Sequence, residues 1–96
     1  MKEREYLLSL YEIYSNLLTD KERSYFEYYY FEDYSLQEIA DNNDVSRAYV
    51  SKYINSIESK LIGFEKSLNL YEKRNKLKEI VKDLDDETRN KIIELL

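Results

Sequence analysis

From Glu3 to Leu18 the apolar side chains recur at steps of three and four: Leu7, Leu10, Tyr14 and Leu17, with Tyr6, Tyr11, Ile13 and Leu18 widening the face. That period belongs to an amphipathic helix packed on a core. Thr19 and Glu22 then stand at the spacing of a capping box, in which a hydroxyl and a carboxylate each satisfy an amide the helix leaves open. A second helix is therefore predicted from Asp20. It carries Tyr25, Phe26, Tyr28, Tyr29, Tyr30 and Phe31, too many large rings for one face. The spacing assigns some to the core and others to its rim, where exposed members of Tyr28, Tyr29 and Tyr30 would mark a protein contact. No run elsewhere alternates with period two, so these rings are assigned to a helix rather than a strand.

Glu32-Asp33-Tyr34 reads as a loop, and Ser35 with Glu38 repeats the capping-box spacing at the start of a short helix from Leu36 to about Asn42. Its inward residues are Leu36, Ile39 and Ala40. Asn43-Asp44-Val45 makes a tight turn, with Asp44 taking the left-handed conformation usually left to Gly, and Ser46 caps the next helix. From Arg47 the steps Val50, Ile54, Ile57, Leu61, Phe64, Leu68, Tyr71 continue for three heptads, a coiled-coil-like seam. The packed seam is expected to absorb the low helix propensity of Gly63. The register slips at Leu77, Ile80 and Leu84, predicting a bend near Asn69, and Asp85 or Asp86 caps a last helix ending in Ile92, Ile93, Leu95 and Leu96.

This pattern predicts an all-α chain: a helix-turn-helix bundle with a long fourth helix and a C-terminal helical extension. Residues 1–68 form the helix-turn-helix domain, with the motif at about 35–60, and 69–96 the extension, within one structural unit. Ala40 falls where the motif's two helices cross and only a small side chain fits.

Composition narrows the function. The 96 residues contain no Cys, His or Pro and a single Gly, so thiol and imidazole chemistry and a glycine-rich phosphate loop are all missing. No enzyme activity, cofactor or metal site is expected. The start Met1-Lys2-Glu3-Arg4-Glu5 leads into no signal-peptide segment, and no apolar run reaches the ~20 residues of a membrane span. A cytoplasmic protein without membrane contact is the expectation. The net charge is -5, which argues against indiscriminate coating of nucleic acid.

The phrases Leu18-Thr19-Asp20-Lys21-Glu22-Arg23, Tyr30-Phe31-Glu32-Asp33-Tyr34-Ser35-Leu36-Gln37-Glu38-Ile39-Ala40 and Val45-Ser46-Arg47 resemble sigma-factor region four. With Leu10-Tyr11-Glu12-Ile13-Tyr14 and Glu65-Lys66-Ser67-Leu68-Asn69-Leu70-Tyr71-Glu72-Lys73, the chain more narrowly resembles the YlxM family over roughly residues 6 to 80. The resemblance implies a bacterial, sigma-region-four-like protein commonly encoded beside the signal recognition particle GTPase. It also implies a non-catalytic regulatory role in that pathway, inferred for the family from gene proximity, with that GTPase or its RNA as partner. Two departures stand out. After Val45-Ser46-Arg47 the family usually continues Gln, Ala, Val, Tyr, Asp, whereas this chain has Ala48, Tyr49, Val50, Ser51 and Lys52; and Asn43 replaces an apolar residue.

The second motif helix offers Arg47, Tyr49, Ser51, Lys52, Asn55 and Lys60 to nucleic acid or a partner. Sequence-specific DNA binding by a transcription regulator is the alternative function. Residues 45–60 carry Arg47, Lys52 and Lys60 against Glu58, a net of +2, which leaves -7 on the rest of the chain to repel a duplex. The basic run Lys73, Arg74, Lys76, Lys78 and Lys82 is flanked by acids and reads as an ion-paired face. The seam Ile57, Leu61, Phe64, Leu68 and Tyr71 serves either internal packing or a dimer; a homodimer is expected.

Overall fold

A computed structural model describes residues 3–96; Met1 and Lys2, part of the start read above, lie outside the described residues. Six helices follow in order: α1 (Arg4–Tyr14), α2 (Asp20–Tyr30), α3 (Leu36–Asn43), α4 (Arg47–Leu68), α5 (Leu70–Val81) and α6 (Asp86–Ile93). A 3-10 turn, Ser15–Leu17, extends α1. The fold is all-helical, as the spacing predicted.

The boundaries follow local chemistry. At α2 the Thr19 hydroxyl accepts from the Glu22 amide at 3.1 Å while the Glu22 carboxylate accepts from the Thr19 amide at 2.9 Å. Ser35 and Glu38 repeat the exchange at α3, at 3.0 and 2.9 Å. Ser46 caps α4 through the Tyr49 amide and Asp85 caps α6 through the Thr88 amide, each at 3.0 Å. Asp44 takes the left-handed conformation at φ 54°, and Asn43 donates its side-chain amide to the Ile39 carbonyl at 2.8 Å. The apolar residue missing at Asn43 is thus replaced by a hydrogen bond on the last turn of α3.

α4 is the axis on which α1, α2 and α3 all pack. Leu7, Leu10 and Tyr14 of α1, Phe26 of α2, Ile39 and Ala40 of α3, and Val50, Ile57 and Leu61 of α4 are completely enclosed. Ala40 is fully buried, as a residue at the predicted crossing must be. The aromatic run of α2 divides as its angular spread requires: Tyr25, Phe26 and Tyr30 enter the core, whereas Tyr28 and Phe31 stay outside. Phe26 lies between Tyr11 and Tyr30, with ring centroids 4.3 and 4.4 Å away. Of the tyrosines considered for exposed contact, Tyr30 is therefore excluded by its burial; its hydroxyl donates to Glu58.

Three expectations need correction. Leu17 is 55% exposed, because the 3-10 turn rotates it off the face of α1 and Leu18 fills that place. The heptad seam does not run unbroken to Tyr71: Asn69 adopts φ 56° and ends α4 at Leu68. Leu68 is exposed and Tyr71 belongs to the next helix, its ring edge-on to Tyr6 at 5.3 Å. Gly63 sits on the open side of α4, where an added Cβ would meet nothing within 4 Å, so no packing there offsets its helix cost.

The residue that replaces Leu68 in the interior is Glu65. Its carboxylate accepts from the Tyr14 hydroxyl at 2.6 Å and from the Tyr71 and Glu72 amides at 3.0 and 3.1 Å. Because Asn69 is left-handed it gives α5 no side-chain cap, and Glu65 supplies the acceptor from the preceding helix. Burial pushes this carboxyl up, but the Tyr14 hydroxyl and the two amides outweigh it and hold it below its ordinary value. The molecule measures 53 × 24 × 23 Å, with α5 seated on α1 and α6 folded onto α5.

Candidate functional site

The turn between α3 and α4 is closed by the Asp44 and Val45 amides, both donating to the Ala40 carbonyl. With both helices capped at their starts, the first turns of α4 have one orientation relative to the core. At about 100° per residue, Val50, Ile54, Ile57 and Leu61 define the inward side, so Lys52, Asn55, Ser56 and Ser59 point away from it. All four outward residues are exposed.

The six residues read as contacts from the sequence separate into two groups. Arg47, Ser51, Lys52 and Asn55 share one continuous surface at the start of α4, spread over roughly 140° of the helix. Arg47, Lys52 and Asn55 are exposed and Ser51 is half-buried. Tyr49 and Lys60 lie on the opposite flank and are tied to α2. Lys60 donates to the Glu22 carboxylate at 2.6 Å, so it is committed to an intrachain ion pair with a buried acid. Burial pushes Glu22 up, but Lys60 and the Thr19 amide prevail and hold it below the ordinary carboxylate value.

Tyr49 has a partner that the sequence pattern did not reveal. Lys21, in the first turn of α2, donates to the Tyr49 hydroxyl at 2.7 Å. Its ammonium stands 5.0 Å from the Tyr53 ring centre, 5.2 Å from Tyr49 and 5.8 Å from Tyr25. The hydrogen bond to Tyr49 holds the Lys21 pKa above its usual value, against a smaller opposing effect of desolvation. Tyr49 stacks on Tyr53 at 5.8 Å, and Tyr53 meets Tyr25 edge-on at 4.8 Å. A cation bonded to the Tyr49 hydroxyl and set against the Tyr25 and Tyr53 rings ties the side of α4 to α2. The only sequence signals were a Tyr49–Tyr53 spacing of one helical turn and a lysine in the capping-box turn. Neither identifies the other across 28 residues.

Electrostatically the face is sparse. With Lys60 engaged by Glu22, the first turns of α4 keep two outward cations without an intrachain ion pair among the described residues, Arg47 and Lys52, and Lys66 near its far end adds a third. A protein that grips duplex DNA through phosphates needs several such contacts, each releasing counterions. The small side chains Ala48, Ser51, Ser56 and Ser59 leave the helix backbone close to whatever docks there. Among the described residues no group of three or more carboxylates is gathered as a metal site, and every buried side-chain polar atom has a hydrogen-bond partner. The buried acids Glu22, Glu58 and Glu65 are each occupied by partners within the fold.

The proposed dimer seam is likewise divided. Ile57 and Leu61 are fully enclosed between α4 and α1, which corrects their assignment to a dimer surface: they are internal packing residues. Phe64 is half-buried with its ring 5.8 Å from Tyr14, Tyr71 is half-buried against Tyr6, and Leu68 alone of the five is exposed.

Comparison with known proteins adds a family. Residues 1–95 match the family model UPF0122, described as "Putative helix-turn-helix protein, YlxM / p13 like". A UPF0122 protein of Ureaplasma urealyticum serovar 10 is 38% identical over 84 residues, covering 88% of this chain and 85% of that protein. One from Geobacillus sp. strain WCH70 is 46% identical over 77 residues, 80% and 70% of the two chains. A third, from Shouchella clausii, is 48% identical over 64 residues, 67% and 59%.

Proposed function

Because the chain belongs to the YlxM/p13-like helix-turn-helix family, we propose that it is a non-catalytic regulator in the signal recognition particle pathway, acting in the cytoplasm. In this reading the start of α4 contacts the particle's GTPase or its RNA. The pathway comes from the family resemblance. The observation that carries a partner other than duplex DNA is the charge of the site: among the described residues Arg47 and Lys52 are the cations without an intrachain ion pair at the start of α4, Lys60 is bound to Glu22, and the whole chain is at -5. A reader's shape thus carries too little positive charge for tight phosphate binding, while its exposed small and polar residues suit a protein surface.

The second reading, a sequence-specific DNA-binding regulator, is favoured by the capped, tightly turned α3–α4 unit, which presents the first turns of α4 as a groove-reading helix does. A pull-down from native cytoplasm with the full chain as bait, with bound proteins and nucleic acids both identified, separates the two. The first reading expects the particle's GTPase or RNA on the bait, diminished by Arg47→Ala with Lys52→Ala, and a changed GTPase turnover when the protein is added. Recovery of a defined DNA fragment instead would establish the second, and recovery of neither would refute both.

A further inference from the structure

α5 carries a second apolar stripe that the fold leaves uncovered. Leu70 and Leu77 lie within about 20° of each other around α5, and Ile80 about 60° further on. All three are exposed, Ile80 by 70%. The side of α5 that meets α1 is a different one, formed by Tyr71, Arg74, Asn75 and Lys78 beside Ser9, Glu12 and Ile13. Val81 is buried, whereas Ile93 and Leu95 stay outside, Leu95 by 86%. Large apolar side chains clustered on so small a unit mark an interaction surface.

The charges around the stripe indicate its occupant. Residues 70–81 carry four cations and two acids, a net of +2, and residues 82–96 three cations and five acids, a net of -2. Most of these charges are already matched within the chain, as Lys76 with Glu72, Lys82 with Glu79, Arg89 with Asp86 and Lys91 with Glu87. Among the described residues Lys73 and Arg74 of α5 have no intrachain ion pair, and neither do Asp83 and Glu94 on either side of α6. The arm therefore presents a basic, apolar helix and an acidic, apolar helix side by side.

We propose that the arm pairs two copies of this chain about a two-fold axis, the Leu70, Leu77 and Ile80 stripe of one copy packing on Ile93 and Leu95 of the other. Each copy offers both halves of the contact, as an isologous interface requires. Lys73, which falls between Leu77 and Ile80 around α5, then meets the partner copy's acidic half. Packing α5 on α5 would instead bring two helices of net +2 together, so the charges select the α5-to-α6 pairing. The pairing leaves the start of α4 free and stands independently of the function proposed above.

Light scattering with size-exclusion chromatography at about a hundred micromolar tests it on the full chain. The wild type is expected at twice 11.7 kDa, and Leu77→Asp with Ile80→Asp at the single mass. Circular dichroism of that variant should match the wild type, since both positions are already exposed. Lys73→Glu or Glu94→Lys alone should raise the dimer's dissociation constant at least tenfold, and the two together in one chain should restore it. A wild type at 11.7 kDa, a dimer untouched by the aspartates, or a charge swap without effect would each overturn the pairing.

Discussion

The α1–α4 head and the α5–α6 arm are built from similar materials and end in opposite states. Both have leucines and isoleucines at helical spacing, capped starts and charged outer faces. In the head the apolar positions of four helices converge, and core side chains disappear from solvent. In the arm Val81 is the only buried hydrophobic among the described residues, while Leu70, Leu77, Ile80, Leu84, Ile93 and Leu95 stay open. Amphipathic periodicity is therefore a request for a partner. The head meets it within the chain; the arm has two helices that cannot cover each other on all sides.

The contrast is tested first where it predicts the largest effect. Leu61→Ala should cost about 2–5 kcal/mol of unfolding free energy, because a fully enclosed side chain leaves a cavity. Ile80→Ala should cost within about 0.5 kcal/mol for an isolated chain. Urea denaturation at low micromolar concentration compares them directly, and equal costs would erase the distinction between head and arm.

Next comes the joint. Glu65→Ala strips the Tyr14 hydroxyl and the Tyr71 and Glu72 amides of their acceptor, a loss of about 1–3 kcal/mol for partners left buried. Hydrogen exchange should speed up at the start of α5 before it does in α3. The same carboxylate gives an acid limb to stability. Glu22 and Glu65 are both held below the ordinary value of 4.5, so their contribution is complete above that pH and is lost as pH falls through the lower folded values. Glu65→Gln should flatten the melting-temperature profile below pH 4.5 and leave it almost parallel to the wild type above. A smaller gain is expected at Gly63→Ala, about 0.5–1 kcal/mol by thermal melting, since the open position has no steric bar to a methyl group. The smallest effect is that of Arg47→Ala with Lys52→Ala, within about 0.5 kcal/mol in stability, although the pull-down should lose its partner.

The parts of this protein governed by neighbours in sequence could be read from the chain alone. Thr19 with Glu22, Ser35 with Glu38, Ser46, Asp85 and the left-handed Asp44 act within four residues, and each performs the predicted task. Ala40 at the crossing and the inward set Val50, Ile54 and Ile57 follow from a period that a single helix imposes on itself. Arg47, Lys52 and Asn55 were recognisable as outward residues on the same basis. What only the tertiary structure decided is which charged groups go inside and which apolar groups stay out. Glu65 is buried and Leu68 exposed because α4 outruns α1 just where α5 needs an acceptor, and Lys60 leaves the contact face because Glu22, 38 residues away, faces it. Caps and periodicity depend on backbone geometry that repeats every few residues. The choice of partner for a long side chain depends on where another helix happens to stand, and that distance is fixed by the packing of the whole core.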